Sequence, residues 1–358
     1  MAFIEIHIKR ILENIQKLND LLHSKGKSWT LVQKILGSNN EVITELLKSD
    51  LLESLHSIGD SHLSGLKAVK KINPHMKTLY IKPPALAYIE EVVKYADISI
   101  NTALNTIYAL NKEAHKQNKI HKIIIMIEMG ELREGVLRDQ VLNFYKSVFE
   151  LPNIEVIGLG TNLGCMFGVQ PTFDKLLQLS LYKQLIEVSF QQRLEIISGA
   201  SSITLPLLLE DKIPSEINHF RLGEAPFLGI SPYNNTAFED LNTKTFEFNS
   251  YIVELKKKEN EPDGILGDSK VGTTNDITKN KPSFKAIVDF GSLDVDPGYL
   301  TTLKDNVSFF GNSSDMTVYD LENNDLNLKE GDTIAFIPNY MGVANLMNSR
   351  FVDKKIII

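Results

Sequence analysis

Short apolar segments alternate with helical apolar patterns along the first two thirds of this 358-residue chain, and this alternation limits the fold more than any other feature. Each strand-like segment precedes a stretch with apolar residues at helical spacing. Eight such pairs in roughly 200 residues are the number expected for a (β/α)8 TIM barrel with a parallel sheet. The predicted strands lie at 30–32, 55–58, 78–82, 98–100, 122–127, 154–159, 194–197 and 216–221.

The pattern changes after about residue 235. Strand-like runs then follow one another without intervening helices, at 246–255, 284–290, 316–321 and 333–337. The sequence therefore predicts a barrel at residues 9–234 and a mainly β domain made of residues 1–8 and 235–358. A polar segment rich in Gly, Asp and Thr at 260–281 predicts an exposed loop.

Composition narrows the class of partner. The hydrophobic fraction is 43% and the formal net charge is −7, which gives no general attraction to nucleic acid or to an anionic membrane surface. The single cysteine, Cys165, excludes an internal disulfide. We find no metal-ligand spacing, signal peptide or membrane span, and we expect a cytoplasmic protein with a small-molecule substrate.

Lys34 is the first candidate for chemistry. It stands between the apolar segment 30–32 and the polar turn 37–40, and a helical pattern follows. In parallel α/β folds this carboxyl end of a strand is where ligands bind. A lysine there can act as a nucleophile or form a Schiff base, although a lysine that only reaches solvent fits the pattern too.

Two glycine-containing turns follow the predicted seventh and eighth strands: 198–202, which also has three serines, and 221–225, where the glycine opens a short helix. Loops at these positions often form the phosphate site of a barrel, although each turn is also an ordinary one when taken singly. A phosphate site together with Lys34 favours pyridoxal 5′-phosphate (PLP). Arg221, facing the pyridine nitrogen, would keep that nitrogen unprotonated; an ion pair with Glu224 is its alternative role. A barrel enzyme acting on a sugar phosphate is the alternative without PLP.

Several motifs resemble those of alanine racemase-type, fold-type III PLP enzymes, and most closely the branch of amino-acid racemases that includes ornithine racemase. The resemblance covers nearly the whole chain. The motifs are Val32-Gln-Lys34, Ile58-Gly-Asp-Ser61, Glu128-Met-Gly-Glu-Leu-Arg-Glu-Gly135, Gly158-Leu-Gly-Thr-Asn-Leu163, Ile197-Ser-Gly-Ala-Ser-Ser202, Asn218-His-Phe-Arg-Leu-Gly-Glu224, Asp294-Val-Asp-Pro297, Gly311-Asn-Ser-Ser-Asp315, Gly331-Asp332 and Asn339-Tyr340.

The resemblance implies a PLP-dependent racemase or epimerase that acts through an α-carbanion. Lys34 would form the Schiff base and serve as one acid/base group. The resemblance also implies a homodimer whose active sites lie at the interface, so that Asp315 and Tyr340 act in trans on the substrate and in catalysis, respectively. The implied cofactor-binding residues, besides Lys34, are Arg133, Asn162, Ser198, Gly199, Ser201, Ser202, Arg221, Gly223 and Glu224.

The chain also departs from the family pattern. Ser292 replaces the tyrosine that serves alanine racemases as the acid/base group on the opposite face, and a serine hydroxyl is a far weaker acid than a phenol. Met316 replaces a histidine, and Phe351 a tyrosine. A one-base PLP enzyme of the lyase type and a catalytically weak PLP-binding protein are therefore the alternative functions. The candidates for the second acid/base group are Tyr340, His62 and Cys165.

Acidic residues are concentrated near the predicted barrel mouth, and they suit a cationic amino acid as substrate. A solvated rim of ion pairs is the alternative explanation for them. These residues are Glu128, Glu131, Glu134 and Glu224.

Overall fold

The computed structural model describes residues 1–267, 272–274 and 281–358. The chain divides into two compact units, one made of residues 1–10, 35–37 and 244–358 and the other of residues 11–34 and 38–243. The proposed domain boundaries remain 9–234 for the barrel, with 1–8 and 235–358 for the β domain. The loop predicted at 260–281 lies partly outside the described residues.

The first elements are strand β1 (Phe3–His7) and helix α1 (Ile8–Ser24). Helix α1 has an apolar face whose members Ile11, Ile15, Leu18 and Leu22 are buried. This spacing of three and four residues is what an amphipathic helix requires.

The barrel unit contains a nine-segment parallel sheet. Neighbouring segments pair in chain order, and the last strand returns to pair with the first, in the register Arg221 to Thr30. Its strands are β2 (Ser28–Val32), β3 (Ser57–Asp60), β4 (Thr78–Tyr80), β5 (Ile98–Asn101), β6 (His121–Met126), β7 (Ile154–Gly160), β8 (Ile196–Ser198), β9 (Ala200–Ser201) and β10 (His219–Leu222).

Gly199 separates β8 from β9, so the nine segments occupy the eight strand positions of a TIM-like barrel. A Cβ atom built on Gly199 would lie 2.9 Å from Cδ2 of Leu179 and 3.2 Å from Cδ1 of Ile217. A side chain at this position would force Leu179 and Ile217 to move, so the glycine lets these two side chains pack directly against the strand backbone. The predicted fold class is confirmed.

The helices that follow the strands cover the barrel. They are α2 (Asn40–Leu47), α3 (Leu63–Ile72), α4 (Ile89–Tyr95), α5 (Leu104–Lys116), α6 (Val141–Phe149), α7 (Phe173–Phe190), α8 (Leu205–Leu209) and α9 (Glu224–Leu228), and the short hairpin β11 (Ile230–Ser231) and β12 (Thr236–Ala237) comes next. Proline is favoured in the first turn of a helix, so the sequence predicts that Pro83 and Pro84 open the helix after the strand at 78–82; this boundary was wrong. Pro83 and Pro84 do not open a helix, because a residue that precedes proline is disfavoured in the helical region; α4 begins only at Ile89.

The second unit, made of residues 1–10, 35–37 and 244–358, is mainly antiparallel, as predicted. Besides β1, its elements are β13 (Phe246–Lys258), β14 (Ser283–Val288), β15 (Leu300–Thr302), β16 (Ser308–Asn312), β17 (Thr317–Asp320), β18 (Thr333–Pro338), α10 (Tyr340–Asn348) and β19 (Asp353–Ile357). The sheet has the order β15-β18-β13-β14-β17-β16, and β1 pairs with β13 and with β19. The expectation that this region lacks helices was wrong, because Asn339 caps α10 by accepting a hydrogen bond from the Gly342 amide at 2.9 Å.

Each unit has its own apolar core. In the barrel, Leu79, Ile100, Ile124 and Met126 belong to one buried cluster between the strands. In the second unit, the rings of Phe248, Phe290, Phe336 and Tyr319 pack together, with the centroids of Phe248 and Phe290 5.0 Å apart. These cores give the loops at the strand ends rigid supports. Among the described residues, no helix is long and apolar enough to cross a membrane.

Candidate active site

Lys34 lies at the carboxyl end of the barrel strands. It lies two residues after the end of β2, with Gln33 between them, and begins a short 3-10 turn at Lys34–Leu36. The preceding Gln33 is buried and its side-chain amide donates to the Gly65 carbonyl at 3.3 Å, which fixes the strand end. Because the Lys34 side chain is exposed, its amine is accessible from the barrel mouth.

Arg221 lies on β10, the strand that pairs with β2. Its guanidinium donates to the Ser198 carbonyl at 2.7 Å, to Ser198 Oγ at 2.5 Å and to the Thr161 carbonyl at 2.8 Å. Burial lowers the pKa of Arg221 to about 10, while Glu134 acts in the opposite direction. The group is therefore a fixed cation at neutral pH, held by three acceptors.

His219 extends this hydrogen-bond network into the barrel. Its ring nitrogens bond to Ser198 Oγ at 2.8 Å and to Thr30 Oγ1 at 3.0 Å, and Thr30 bonds onward to Ser57 Oγ at 2.7 Å. Burial, followed by the charges of His56 and Arg221, holds the pKa of His219 well below its usual value, so the ring is neutral. No role was expected for His219 from the sequence. The feature that could have revealed it is the spacing of two residues between His219 and Arg221, which puts both side chains on the same face of β10.

The two predicted phosphate turns lie side by side. Ser201 caps the short turn Ser202–Thr204, and Thr204 Oγ1 accepts from the Ser201 amide at 2.8 Å. Ser202 Oγ accepts from the Ala225 amide at 3.2 Å, which joins this turn to the start of α9. A Cβ atom on Gly223 would lie 3.1 Å from the Val32 carbonyl oxygen, so the glycine brings the second turn close to the end of β2.

Three other predicted cofactor-binding residues differ in their surroundings. Ser198 is fully buried and bonded to Arg221, and Gly199 is packed against Leu179. Glu224 is half-buried; burial raises the pKa of its carboxyl, and the nearby positive charge of Lys34 opposes this shift. The structure therefore brings Lys34 and Glu224 within electrostatic reach of each other, whereas Ser198 is buried against Arg221 and Gly199 against Leu179.

Arg133 and Asn162 come from the loops after β6 and β7. The Arg133 guanidinium makes a 2.8 Å ion pair with Glu134 and approaches Cys165 Sγ at 2.9 Å, and Asn162 is half-buried. Cys165 is exposed and thus available to solvent. The two loops are therefore in contact through Arg133.

Glu131 fixes the same two loops and was not assigned this role from the sequence. Its buried carboxylate accepts hydrogen bonds from the backbone amides of Cys165 at 3.0 Å, Phe167 at 2.9 Å and Val169 at 2.8 Å. Burial alone would raise the pKa of Glu131, but these amides lower it below the usual value. Glu128 is also used structurally, because its carboxylate accepts from the amides of Gly130 and Leu132. Two of the four acidic residues expected to favour a cationic substrate thus hold loops.

We expect Glu131→Gln to destabilise the protein at neutral pH by about 1–3 kcal/mol, because an amide N–H₂ would face a backbone donor. The pKa of Glu131 is lower in the folded state than its ordinary value of 4.5. Its stabilisation is therefore complete above the unfolded-state pKa and is lost as the pH falls through the folded-state pKa. Urea unfolding at pH 7 and pH 4 should show the difference from wild type shrinking at the lower pH. The exposed Glu150→Gln is the control, and equal effects of the two variants would contradict this role.

The second unit contains the predicted catalytic residue Tyr340 and the predicted substrate-binding residue Asp315. Tyr340 is the first residue of α10 and is half-buried, and Asp315 is exposed in the turn before β17, where Ser314 Oγ donates to its carboxylate. Ser292 is exposed and donates to the Ser313 carbonyl at 3.2 Å. Met316 and Phe351 are 46% and 52% exposed, so neither side chain is needed for the core.

His62 lies in the barrel unit, just before α3. Its side chain is 66% exposed and lies 3.7 Å from the buried carboxylate of Asp60. The other carboxylate oxygen of Asp60 is buried and has no hydrogen-bond partner among the described residues. This unpaired acceptor lies at the carboxyl end of β3, within the motif Ile58-Gly-Asp-Ser61, but no role was expected for it.

The fold is that of a TIM-like barrel protein with a mainly antiparallel second domain. Its candidate site contains Lys34, Arg221 and the two turns at 198–202 and 221–225. The chain belongs to the family described as alanine racemase, N-terminal domain, whose model matches residues 6–231. This confirms the resemblance found in the sequence motifs.

Two relatives match almost end to end. The ornithine racemase of Acetoanaerobium sticklandii is 32% identical over 99% of this chain and 99% of its own length. The lysine racemase of Thermotoga maritima is 27% identical over 98% of this chain and 96% of its own.

Solved structures agree on the fold. The alanine racemase of Clostridium difficile 630 has a TM-score of 0.75 and 16% identity, and the match covers 99% of this chain and 95% of that chain. The alanine racemase of Bartonella henselae with covalently bound pyridoxal phosphate has a TM-score of 0.73 and 15% identity, with 99% of both chains covered.

Proposed function

We propose that this protein is a PLP-dependent racemase of a basic amino acid such as ornithine or lysine. Its enzyme class, an amino-acid racemase that uses PLP, follows from the family and from the full-length match to two amino-acid racemases. The observation that carries the proposal is the position of Lys34, two residues after the end of β2, and of Arg221 on β10, the strand that pairs with β2, in a chain 32% identical to an ornithine racemase.

The residues around Arg221 fit the cofactor. A guanidinium has five N–H donors, and the bonds to Ser198 and Thr161 leave donor capacity unused. Arg221 makes no ion pair with a carboxylate among the residues that the structure describes. A cation of this kind suits an uncharged acceptor such as an unprotonated pyridine nitrogen, while the turns containing Ser201 and Gly223 suit the phosphate.

Bound PLP would supply an electron sink that weakens the bond between the substrate Cα and its hydrogen. The Lys34 amine would hold the cofactor covalently and move a proton at Cα on one face of the substrate. Arg221 would limit the sink, because its fixed charge opposes protonation of the pyridine ring, and this favours rapid return of the proton over transamination. Arg133 and Asn162 would bind beside the cofactor.

The second face needs another proton donor. We assign this role to Tyr340 from a second subunit of a homodimer, because Ser292 is a much weaker acid and donates to the Ser313 carbonyl. Asp315 from the same subunit would bind the substrate. The family match favours this two-base racemase over the one-base lyase and over a weak PLP-binding protein.

The proposal is tested by incubating the PLP-loaded protein in D₂O with L- or D-ornithine, lysine and alanine. Inversion should accompany incorporation of deuterium at Cα, and rates should be greatest for ornithine or lysine. Release of an aldehyde or keto acid without inversion would support the lyase alternative. Neither exchange nor inversion with any of the three amino acids would contradict the proposal.

The role of Asp315 gives a prediction about substrate charge. Asp315→Asn should raise KM for ornithine by about tenfold while KM for alanine stays the same, because only ornithine has a side-chain ammonium group. Steady-state kinetics with both substrates measures this, and the exposed Asp305→Asn is the control. An equal rise in KM for the two substrates would show that Asp315 does not recognise that ammonium group.

A further inference from the structure

A cavity lies at the amino-terminal ends of the barrel strands, opposite to the end that has Lys34. It has a volume of about 330 Å³. We call it the basic cavity, and its basic lining residues are His56, Lys77, Lys94, Lys119, His121 and Lys122. They precede or begin strands β3 to β6, so the fold itself gathers them.

The charges of this cavity are unbalanced. Four lysines line it, whereas Asp97 and Glu195 are its only carboxylates. Asp97 is already paired with Lys70, which does not line the cavity, at 2.7 Å. Lys122 pairs with Glu155 at 3.3 Å, and Lys119 donates to the Val93 carbonyl at 3.0 Å. Lys77 and Lys94 make no ion pair within the described part of the chain, although the chain as a whole carries a net charge of −7.

A buried imidazole forms part of the same lining. His121 is 3% exposed, and its Nε2 bonds to Ser99 Oγ at 2.8 Å. Its Nδ1 has no hydrogen bond to any described residue. Burial is the main reason that the pKa of both His121 and His56 falls to about 4, and at His56 the charges of Lys77 and Lys122 act in the same direction, so the rings are neutral at pH 7. Each ring can orient a ligand without adding charge.

The remaining surface limits the size and chemistry of a ligand. Ile98, Ile157 and Ile196 form an apolar part of the lining, so only part of the wall can make polar contacts to a ligand. Clustered lysines repel one another, and a small anion with several acceptor atoms would remove that repulsion. A cation would increase that repulsion, and a neutral apolar ligand would not relieve it.

We propose that the basic cavity binds a compact oxyanion that carries two or more negative charges, such as a phosphate or diphosphate group. Lys77 and Lys94 contribute the uncompensated charge, and His121 contributes a fixed polar contact. The site is separate from the cofactor site, because it lies at the other end of the barrel strands. The proposal does not depend on the racemase activity.

Isothermal titration calorimetry with pyrophosphate tests this proposal on the PLP-saturated protein, in which the phosphate turns near Lys34 are filled. Wild type should bind one equivalent, and affinity should fall as ionic strength rises. The double variant Lys77→Gln/Lys94→Gln should bind about tenfold more weakly. Inorganic phosphate, titrated in parallel, shows whether a single phosphate group is sufficient for binding.

The matched control is Lys48→Gln/Lys146→Gln, which removes the same charge from exposed positions outside the cavity. It should bind like wild type, and thermal unfolding should show that both double variants are folded. The proposal is overturned by an absence of binding to wild type, by unchanged affinity in the cavity variant, or by an equal loss in both double variants.

Discussion

Replacing Lys34 with alanine is expected to reduce racemisation by about ten-thousandfold or more, because one residue supplies both the covalent link to the cofactor and one acid/base group. PLP should still bind through the turns at Ser201 and Gly223, but borohydride should no longer fix it to the protein. Amino-acid analysis of the products and absorbance after reduction measure the two effects.

Lys34→Arg separates charge from nucleophilicity. It keeps the cation near Glu224 but cannot form a covalent bond with the cofactor, so it should be as inactive as Lys34→Ala. Lys48→Ala, at an exposed lysine paired with Glu45, is the control and should keep full activity. Substantial racemisation by Lys34→Arg would refute the proposed role.

The second large effect is expected at Arg221. Arg221→Gln should lower the racemisation rate by about a hundredfold or more, because the cofactor loses a fixed cation and Ser198 and Thr161 lose their donor. Arg221→Glu should in addition let the pyridine nitrogen take a proton. The cofactor then becomes a stronger electron sink, and the ratio of transamination to racemisation should rise. Keto acid formation measured beside inversion gives this ratio.

A lower rate alone would not establish this role, because Arg221 also supports the barrel interior. Arg221→Lys keeps a cation but cannot bond all three acceptors, and it should keep the low transamination ratio of wild type. Arg138→Gln, at an exposed arginine, is the control for charge. If Arg221→Glu and Arg221→Lys gave the same ratio, the proposed influence on the pyridine nitrogen would be wrong.

Much of the fold could be predicted because buried parallel strands are continuous apolar runs. The run at β6 contains Ile123, Ile124 and Ile125, all fully buried, and no helical pattern competes with it. Short elements of the second unit were missed. Strands β15 and β16 are three and five residues long. The partner of β15 is the distant strand β18, and β16 pairs with the following strand β17 through an irregular register, so neither leaves a clear pattern in local sequence.

The candidate site could be predicted where function depends on position along a strand. Lys34 and Arg221 follow from the strand assignments, since Lys34 comes just after β2 and Arg221 lies on β10, and these two strands pair in the barrel. The role of Glu131 could not be predicted, because its partners are backbone amides 34 to 38 residues later in the chain. The network through His219 depends likewise on side chains from the four strands β2, β3, β8 and β10, and their contacts follow from the closed barrel.

The central claim is that Lys34 binds PLP covalently. The most direct measurement is near-visible absorbance of the purified protein with added PLP, followed by borohydride reduction and peptide mapping. We expect a yellow protein whose reduced cofactor is attached to the peptide containing Lys34. A colourless protein, or label distributed over surface lysines, would contradict the claim.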